Sequence, residues 1–194
     1  MDTVRAMRIV AGTAGGRNLT TPEGDDVRPT KDRVREAVFN SLNSYGYVED
    51  CSFLDLFAGS GALGLEALSR GASRCTFVDN DRRSIAAIAT NVEQLAFGDS
   101  ATVRQANAMS VLASMVPHDV ALLDPPHDFD EWENLLAGVH AEVVVAESGR
   151  AVVPGSGWEI LKEKRYSGSF VVIARRAAPG STSGDTSGDE EGTR

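Results

Sequence analysis

Short apolar runs alternate with stretches of helical periodicity over most of the chain. Cys51 to Phe57 is nearly continuous in apolar residues, the pattern of a strand buried on both faces, with Asp55 inside it. Ala62 to Leu68 carries small and apolar residues at helical spacing, and Gly71 stands where a helix C′ glycine belongs. Cys75 to Asp79 is a second short strand, ending on a carboxylate. Ile85, Ala86, Ile88, Ala89, Val92 and Leu95 trace a helix. Ala101 to Gln105 is a third strand, and Asn107-Ala108-Met109 opens another helix. Val120 to Leu123 is a fourth strand, stopped by Asp124-Pro125-Pro126. Phe129 to Val139 reads as helix and Glu142 to Ala146 as a fifth strand. Strands alternating with helices predict an α/β fold, a Rossmann-like, doubly wound, mostly parallel sheet. The end differs. Trp158 to Tyr166 and Ser169 to Arg175, around Gly168, predict an antiparallel hairpin.

Ahead of this pattern, residues 1 to 27 read as a basic arm. Arg8-Ile9-Val10-Ala11-Gly12 and Gly16-Arg17-Asn18-Leu19 flank a small-residue turn and predict a short β-hairpin, with Arg5, Arg8 and Arg17 on its surface. Arg28-Pro29-Thr30 introduces a helix with Thr30 as N-cap and Val34, Ala37, Val38 and Leu42 as its buried stripe. Arg28, Lys31, Arg33 and Arg35 crowd its start. Cations oppose the dipole there, so the crowding points to an anionic partner. The main domain spans residues 28 to 176. Residues 177 to 194, rich in Gly, Ser and Thr, read as a disordered acidic tail.

Composition changes this picture little. A chain of 194 residues suits one main domain with a substantial core. No charged-then-apolar leader and no run long enough to span a bilayer is present, so a cytoplasmic location with no membrane partner is the default expectation. Cys51 and Cys75 have no metal-like spacing and read as reduced core cysteines; no metal site is expected. The net charge of −9 argues at first sight against a nucleic-acid partner. Asp185, Asp189, Glu190 and Glu191 place part of it in the tail, and local patches decide whether a phosphate backbone docks.

The chemistry centres on Asp55-Leu56-Phe57-Ala58-Gly59-Ser60-Gly61-Ala62-Leu63-Gly64. Glycines between a strand and a helix let backbone approach a ligand closely, and the helix start offers unpaired N–H groups. This is a nucleotide-type cofactor cradle. Its Gly59-x-Gly61-x-x-Gly64 spacing also fits the dinucleotide fingerprint, so alone it leaves nicotinamide and S-adenosylmethionine open. Ligands of such sheets bind beyond the carboxyl ends of the strands. Asp55 stands where a carboxylate meets a cationic ammonium. Asp79 is placed to accept ribose hydroxyls, and Asn107 to bond an adenine edge. Asp79 and Asn107 also read as helix caps.

Asp124-Pro125-Pro126-His127 favours the methyl donor. Two prolines fix the backbone and remove two N–H donors, leaving carbonyl oxygens outward. A nucleobase amine needs acceptors for its two hydrogens, which Asp124 Oδ and the Pro125 carbonyl supply. Holding both hydrogens biases the nitrogen toward a tetrahedral geometry aimed at a methyl group. A dehydrogenase has no use for this device.

The run from Asp55 to Ala72, followed by Phe77-Val78-Asp79, resembles class I S-adenosylmethionine-dependent methyltransferases. More narrowly, the chain resembles the RsmD family, which methylates the N2 amine of a guanine in 16S ribosomal RNA. Arg8 to Gly12 and Gly16-Arg17 are similar to that family's N-terminal arm, and Arg28 to Asn40 to its first helix. Asn107-Ala108-Met109 and the stretch from Trp158 through Lys164 to Gly168 also fit, so the likeness runs from about Met7 to Arg176.

The resemblance implies a seven-stranded sheet and S-adenosyl-L-methionine as cofactor. Asp55, Phe57, Ala58, Gly59, Ser60, Gly61, Gly64, Asp79, Asn80, Asn107, Ala108 and Thr30 would hold it. Asp124, Pro125, Pro126 and His127 would hold the guanine, expected at position 966. Arg8, Arg17, Arg28, Lys31, Arg33, Arg35 and Phe129 would meet RNA, in the small ribosomal subunit or a late assembly intermediate, with the enzyme a monomer. One position departs from the superfamily pattern: His127 stands where Tyr, Phe or Trp usually stacks on the base. Alternatives are an adenine-N6 or other nucleic-acid amino-methyltransferase, or an assembly factor weakened by His127.

Overall fold

Strand β1 (Ser52–Leu56) is buried along its whole length, and the rest of the sheet is built outward from it. The computed structural model describes residues 7–22, 29–166 and 168–178, without the side chains of 29–31. The other strands are β2 (Arg74–Asp79), β3 (Ala101–Gln105), β4 (His118–Leu123), β5 (Ala141–Ser148), β6 (Trp158–Tyr166) and β7 (Ser169–Arg176). They form one seven-stranded sheet in the order β3-β2-β1-β4-β5-β7-β6. β1 to β5 run parallel, while β7 is antiparallel to both β5 and β6. The expected Rossmann-like sheet and closing hairpin are both present.

The helices are α1 (Pro29–Ser44), α2 (Ala62–Ser69), α3 (Arg82–Gln94), α4 (Ala108–Val111) and α5 (Trp132–Gly138). Side chains alternate across a strand, so each face of the sheet builds its own core. Phe53, Phe77, Leu122, Val145 and Ile173 pack with Val38 and Leu42 of α1, Leu65 of α2 and Ile88 of α3. Leu54, Val78, Leu123, Val144 and Val172 pack on the opposite face with Val111 of α4 and Leu135 of α5.

Two local readings need correction. Helix α1 begins at Pro29, so Thr30 is its second residue rather than its N-cap. Proline suits the first helical position, where its missing N–H would find no helical partner. Helix α5 begins at Trp132 rather than Phe129. Phe129 instead closes a turn, donating its N–H to the Pro126 carbonyl at 2.9 Å.

Residues 7–19, read from sequence as an arm, fold back through one antiparallel bridge, Arg8 with Asn18, and dock on α2. Met7, Ile9 and Leu19 are buried in the α1-side core. The Thr13 N–H donates to the Ser69 carbonyl at 2.7 Å. Gly12 has φ +82°, and a Cβ there would lie 1.9 Å from that carbonyl oxygen. Only glycine permits this approach.

The chain steps from β1 outward to β2 and β3, then returns to β4 on the other side of β1. Such a reversal leaves a crevice at the carboxyl ends of the two central strands. Leu56 pairs with Leu123 in register. The residues that follow, Phe57 and Asp124, therefore leave the sheet side by side.

Candidate active site

A cavity of about 600 Å³ occupies this crevice, a volume within the usual range for small-molecule sites. Its walls include Phe57 to Ser60, Asp79-Asn80, Asn107-Ala108 and Asp124 to His127. Met7, Val34, Arg35 and Val38 close the α1 side, and Glu147, Ser148 and Gly168 the other.

The glycine turn is held from two sides by carboxylates. Asp79 Oδ2 accepts from the Gly59 N–H at 2.8 Å, and Oδ1 from the Asp81 N–H at 2.8 Å. A carboxylate offers about four lone-pair sites, so Asp79 keeps acceptor capacity toward the cavity. It is not a helix cap: Asp81 caps α3. Asp55 Oδ2 accepts from the Gly64 N–H at 2.9 Å. Burial pushes the Asp55 carboxyl well above its ordinary range; the Gly64 bond opposes this, and the Asp124 and Asp79 charges reinforce it.

Glycine is required in this turn for two different reasons. Gly59 has φ +56°, and a Cβ on it would meet no protein atom within 4 Å. Since Gly59 lines the cavity, that open space belongs to the cavity. At Gly64 a Cβ would lie 2.4 Å from Phe77 Cε1 and 2.6 Å from Cys75 Sγ, so this glycine serves helix–sheet packing. Phe57 also has positive φ, +61°, a strained state for an aromatic residue that costs on the order of 1–3 kcal/mol. Its ring meets Phe129 edge-on at 5.4 Å, and Phe129 meets Trp132 at 5.5 Å. The glycine turn and the loop after β4 are thereby in contact.

Asn107 does cap α4, accepting from the Ser110 N–H at 3.1 Å, and it also lines the cavity. The two readings of this residue coexist. Pro125 is buried, while Pro126 and His127 are exposed at the mouth. The His127 ring lies against Gly149, where a Cβ would sit 2.9 Å from Nδ1.

The basic residues divide. Arg8, 46% exposed, pairs with Asp32 at 3.6 Å. Arg17 donates to the Gln94 carbonyl at 2.9 Å, and Arg33 is exposed. Arg28 and the Lys31 side chain lie outside the described residues. Arg35 is a correction: it is 4% exposed and turned inward. It donates to the Arg8 carbonyl at 2.6 Å and Asp32 Oδ1 at 2.9 Å, and lies 3.5 Å from Glu66 Oε2. A guanidinium so enclosed organises α1 rather than meeting a phosphate backbone.

Two organising residues went unread in the sequence. Glu66, fully buried, accepts from the Val10 and Ala11 N–H groups at 2.7 and 3.0 Å and from Arg70 Nε at 2.7 Å. Its signal was a lone charge in an apolar helix. Asn91, also fully buried, donates to the Ser60 and Thr20 carbonyls and accepts from the Thr20 N–H, tying the glycine turn to the N-terminal segment. Its signal was a lone amide beside the apolar positions of α3. Among the described residues no group of three His, Cys, Asp or Glu side chains is placed to hold a metal ion, and no helix is long and apolar enough to cross a membrane.

Residues 7–175 match the family described as Conserved hypothetical protein 95, the RsmD family. The chain belongs to the RsmD family. It is 38% identical over 192 residues to Ribosomal RNA small subunit methyltransferase D of Escherichia coli (strain K12), covering 92% of this chain and 94% of that protein. The protein of the same name from Haemophilus influenzae is 36% identical over 171 residues, covering 81% and 88%. Among solved structures, yhhF from Escherichia coli superposes with TM-score 0.78 at 35% identity, covering 88% of this chain and 97% of that one. Magnesium protoporphyrin IX methyltransferase of Synechocystis PCC 6803, solved with bound SAM, shares the fold at TM-score 0.61 and 16% identity, covering 79% and 87%.

Proposed function

We propose that this RsmD-family chain transfers a methyl group from S-adenosyl-L-methionine to the N2 amine of one guanine in 16S rRNA, expected at position 966. The observation that carries the reading is that Asp124-Pro125-Pro126 leaves β4 beside Phe57, inside the same cavity as the glycine turn. A donor cradle and an amine-holding block share one space.

The chain's residues fit such a cofactor. The Cβ-free space at Gly59, the remaining acceptor capacity of Asp79 and the cavity position of Asn80, Asn107 and Ala108 supply room and polar partners for an adenosine. Phe57, Ala58 and Ser60 would hold the remainder, while Gly61, whose missing Cβ faces Ile88, Leu65 and Phe77, would shape the turn. Thr30 joins this set from the family likeness alone. When bound, the cofactor supplies an electrophilic methyl group on a sulfonium.

The chain's part in the chemistry is orientation. Asp124 Oδ and the Pro125 carbonyl accept the two amine hydrogens. That takes the nitrogen lone pair out of conjugation and directs it into the cavity. The proton leaves to water once the amine is methylated and positively charged, so His127 is not needed as a base. His127 offers an imidazole face to the flipped base at the exposed mouth. Arg8, Arg17 and Arg33, with Arg28 and Lys31 from the family likeness, would meet rRNA phosphates in the small subunit or a late assembly intermediate. The chain is proposed to act as a cytoplasmic monomer.

Incubation with tritiated cofactor and small subunits lacking the mark should label one guanine. Absence of label in any rRNA or ribosomal particle would sink this reading.

A further inference from the structure

The β6–β7 hairpin, whose turn lines the cavity, carries exposed cations with no role in the chemistry above. Gly168 and Ser169, where the chain turns between the strands, line the cavity. Just before the turn, Lys164 and Arg165 are consecutive residues of β6, and both are exposed. Consecutive strand residues point to opposite faces of a sheet, so these cations stand on opposite sides of the same hairpin.

Each is seated on an aromatic ring. Lys164 Nζ lies 5.2 Å from the centre of the Tyr166 ring, and Arg165 Cζ lies 5.2 Å from that of Phe170. A cation over a ring face is held in place electrostatically while its remaining N–H groups stay outward. On the α1 face, Tyr166 packs against the same cluster as Val34 and Val38, two residues that line the cavity. On the other face, Phe170 pairs with Ser148. Two residues on, exposed Arg150 donates to the Phe129 carbonyl at 3.0 Å, beside the loop after β4.

The surrounding charges give this arrangement a direction. The loop after Pro126 carries exposed Asp128, Asp130 and Glu131, so a phosphate chain is repelled along that wall. Glu163 is the exposed acid within β6 nearest in sequence to the two cations. Base-modifying enzymes must draw the target nucleotide out of its stack. The phosphates on its two sides then need separate anchors, one at each side of the pocket.

We propose that Lys164 and Arg165 form a phosphate clamp on the hairpin whose turn lines the cavity and hold the single-stranded RNA on either side of the target nucleotide. The clamp rests on the rRNA reading above and adds to it a docking element distant in sequence from the basic arm and α1.

The test pairs the full chain with the double variant Lys164→Ala/Arg165→Ala and the charge-keeping variant Lys164→Arg/Arg165→Lys. Undermethylated 16S rRNA is the methyl acceptor, and a short fluorescein-labelled single-stranded RNA is the binding probe. The double alanine variant should raise KM for rRNA about tenfold or more with kcat little changed. It should also flatten the salt dependence of probe binding by about 0.7 per lost cation in log–log slope. S-adenosylmethionine affinity should be unchanged in both variants, and the charge-keeping variant should retain most RNA affinity. Unaltered KM and salt slope in the alanine variant would overturn the clamp while leaving the methyltransferase reading intact. Equal losses in both variants, with cofactor affinity also lost, would mark a structural role and overturn it too. Failure of the unaltered chain to bind or methylate any RNA would remove the parent reading and the clamp with it.

Discussion

Asp79 accepts the Gly59 N–H at 2.8 Å, so a carboxylate at the end of β2 fixes the glycine turn that leaves β1. The same carboxylate receives the Asp81 N–H, coupling the turn to the start of α3. Asp79→Ala should therefore do two things at once. It should weaken S-adenosylmethionine binding at least tenfold by calorimetry, and it should cost about 1–3 kcal/mol in urea unfolding, because backbone donors lose their acceptor.

The two glycines of the cradle should separate binding from folding. Gly64→Ala forces a Cβ against Phe77 and Cys75 and should destabilise the chain by about 1–3 kcal/mol. Gly59→Ala meets no protein atom and should cost only about 1–2 kcal/mol of backbone strain, but it should reduce cofactor affinity strongly. Thermal melts with and without cofactor distinguish them: the Gly59 variant should lose most of the ligand-induced rise in Tm.

Glu66 is the buried hub between α1, α2 and the N-terminal segment. Glu66→Ala leaves Arg35 and Arg70 without their shared carboxylate and the Val10 and Ala11 N–H groups without an acceptor. Breaking a buried pair in this way costs about 3–5 kcal/mol, which denaturant unfolding will read as a large drop in midpoint at unchanged slope.

The ladder of strands and helices was legible because β1, β4 and β5 are walled on both faces and so read as apolar runs, whereas the edge strand β3 is half exposed and mixed in character. The cradle was legible for a related reason, since Gly59 and Gly61 do local work that no other residue does. Arg35 was not. Its place among Arg28, Lys31 and Arg33 looked like one basic face, and only the packing of α1 against Glu66 shows that helical rotation carries it inward. The double service of Asn107, cap and cavity wall, follows from where α4 starts relative to β3, which a linear pattern does not contain. Glu66 and Asn91 reach the N-terminal segment across 55 or more positions, a separation at which spacing carries no information.

His118 predicts a pH dependence away from the active site. It is buried at the start of β4 with Nε2 3.2 Å from Thr76 Oγ1, and burial pulls its pKa below the ordinary 6.5. The unfolded chain then binds the proton more readily than the folded one. The stability from neutral His118 is complete above pH 6.5 and falls as pH drops toward the lowered folded value. His118→Gln should flatten that part of the stability–pH curve, measured by urea unfolding at stepped pH between neutral and mildly acidic.

The chemistry proposed for this chain turns on Asp124 and Pro125 presenting a guanine amine to a methyl donor held by the glycine cradle. The most direct measurement is nucleoside mass spectrometry of small-subunit rRNA after reaction with the unaltered chain and with Asp124→Ala. The unaltered chain should yield N2-methylguanosine at one site, and the variant none even though it binds S-adenosylmethionine with near-normal affinity. N6-methyladenine as the product, or full activity without the Asp124 carboxylate, would contradict this chemistry.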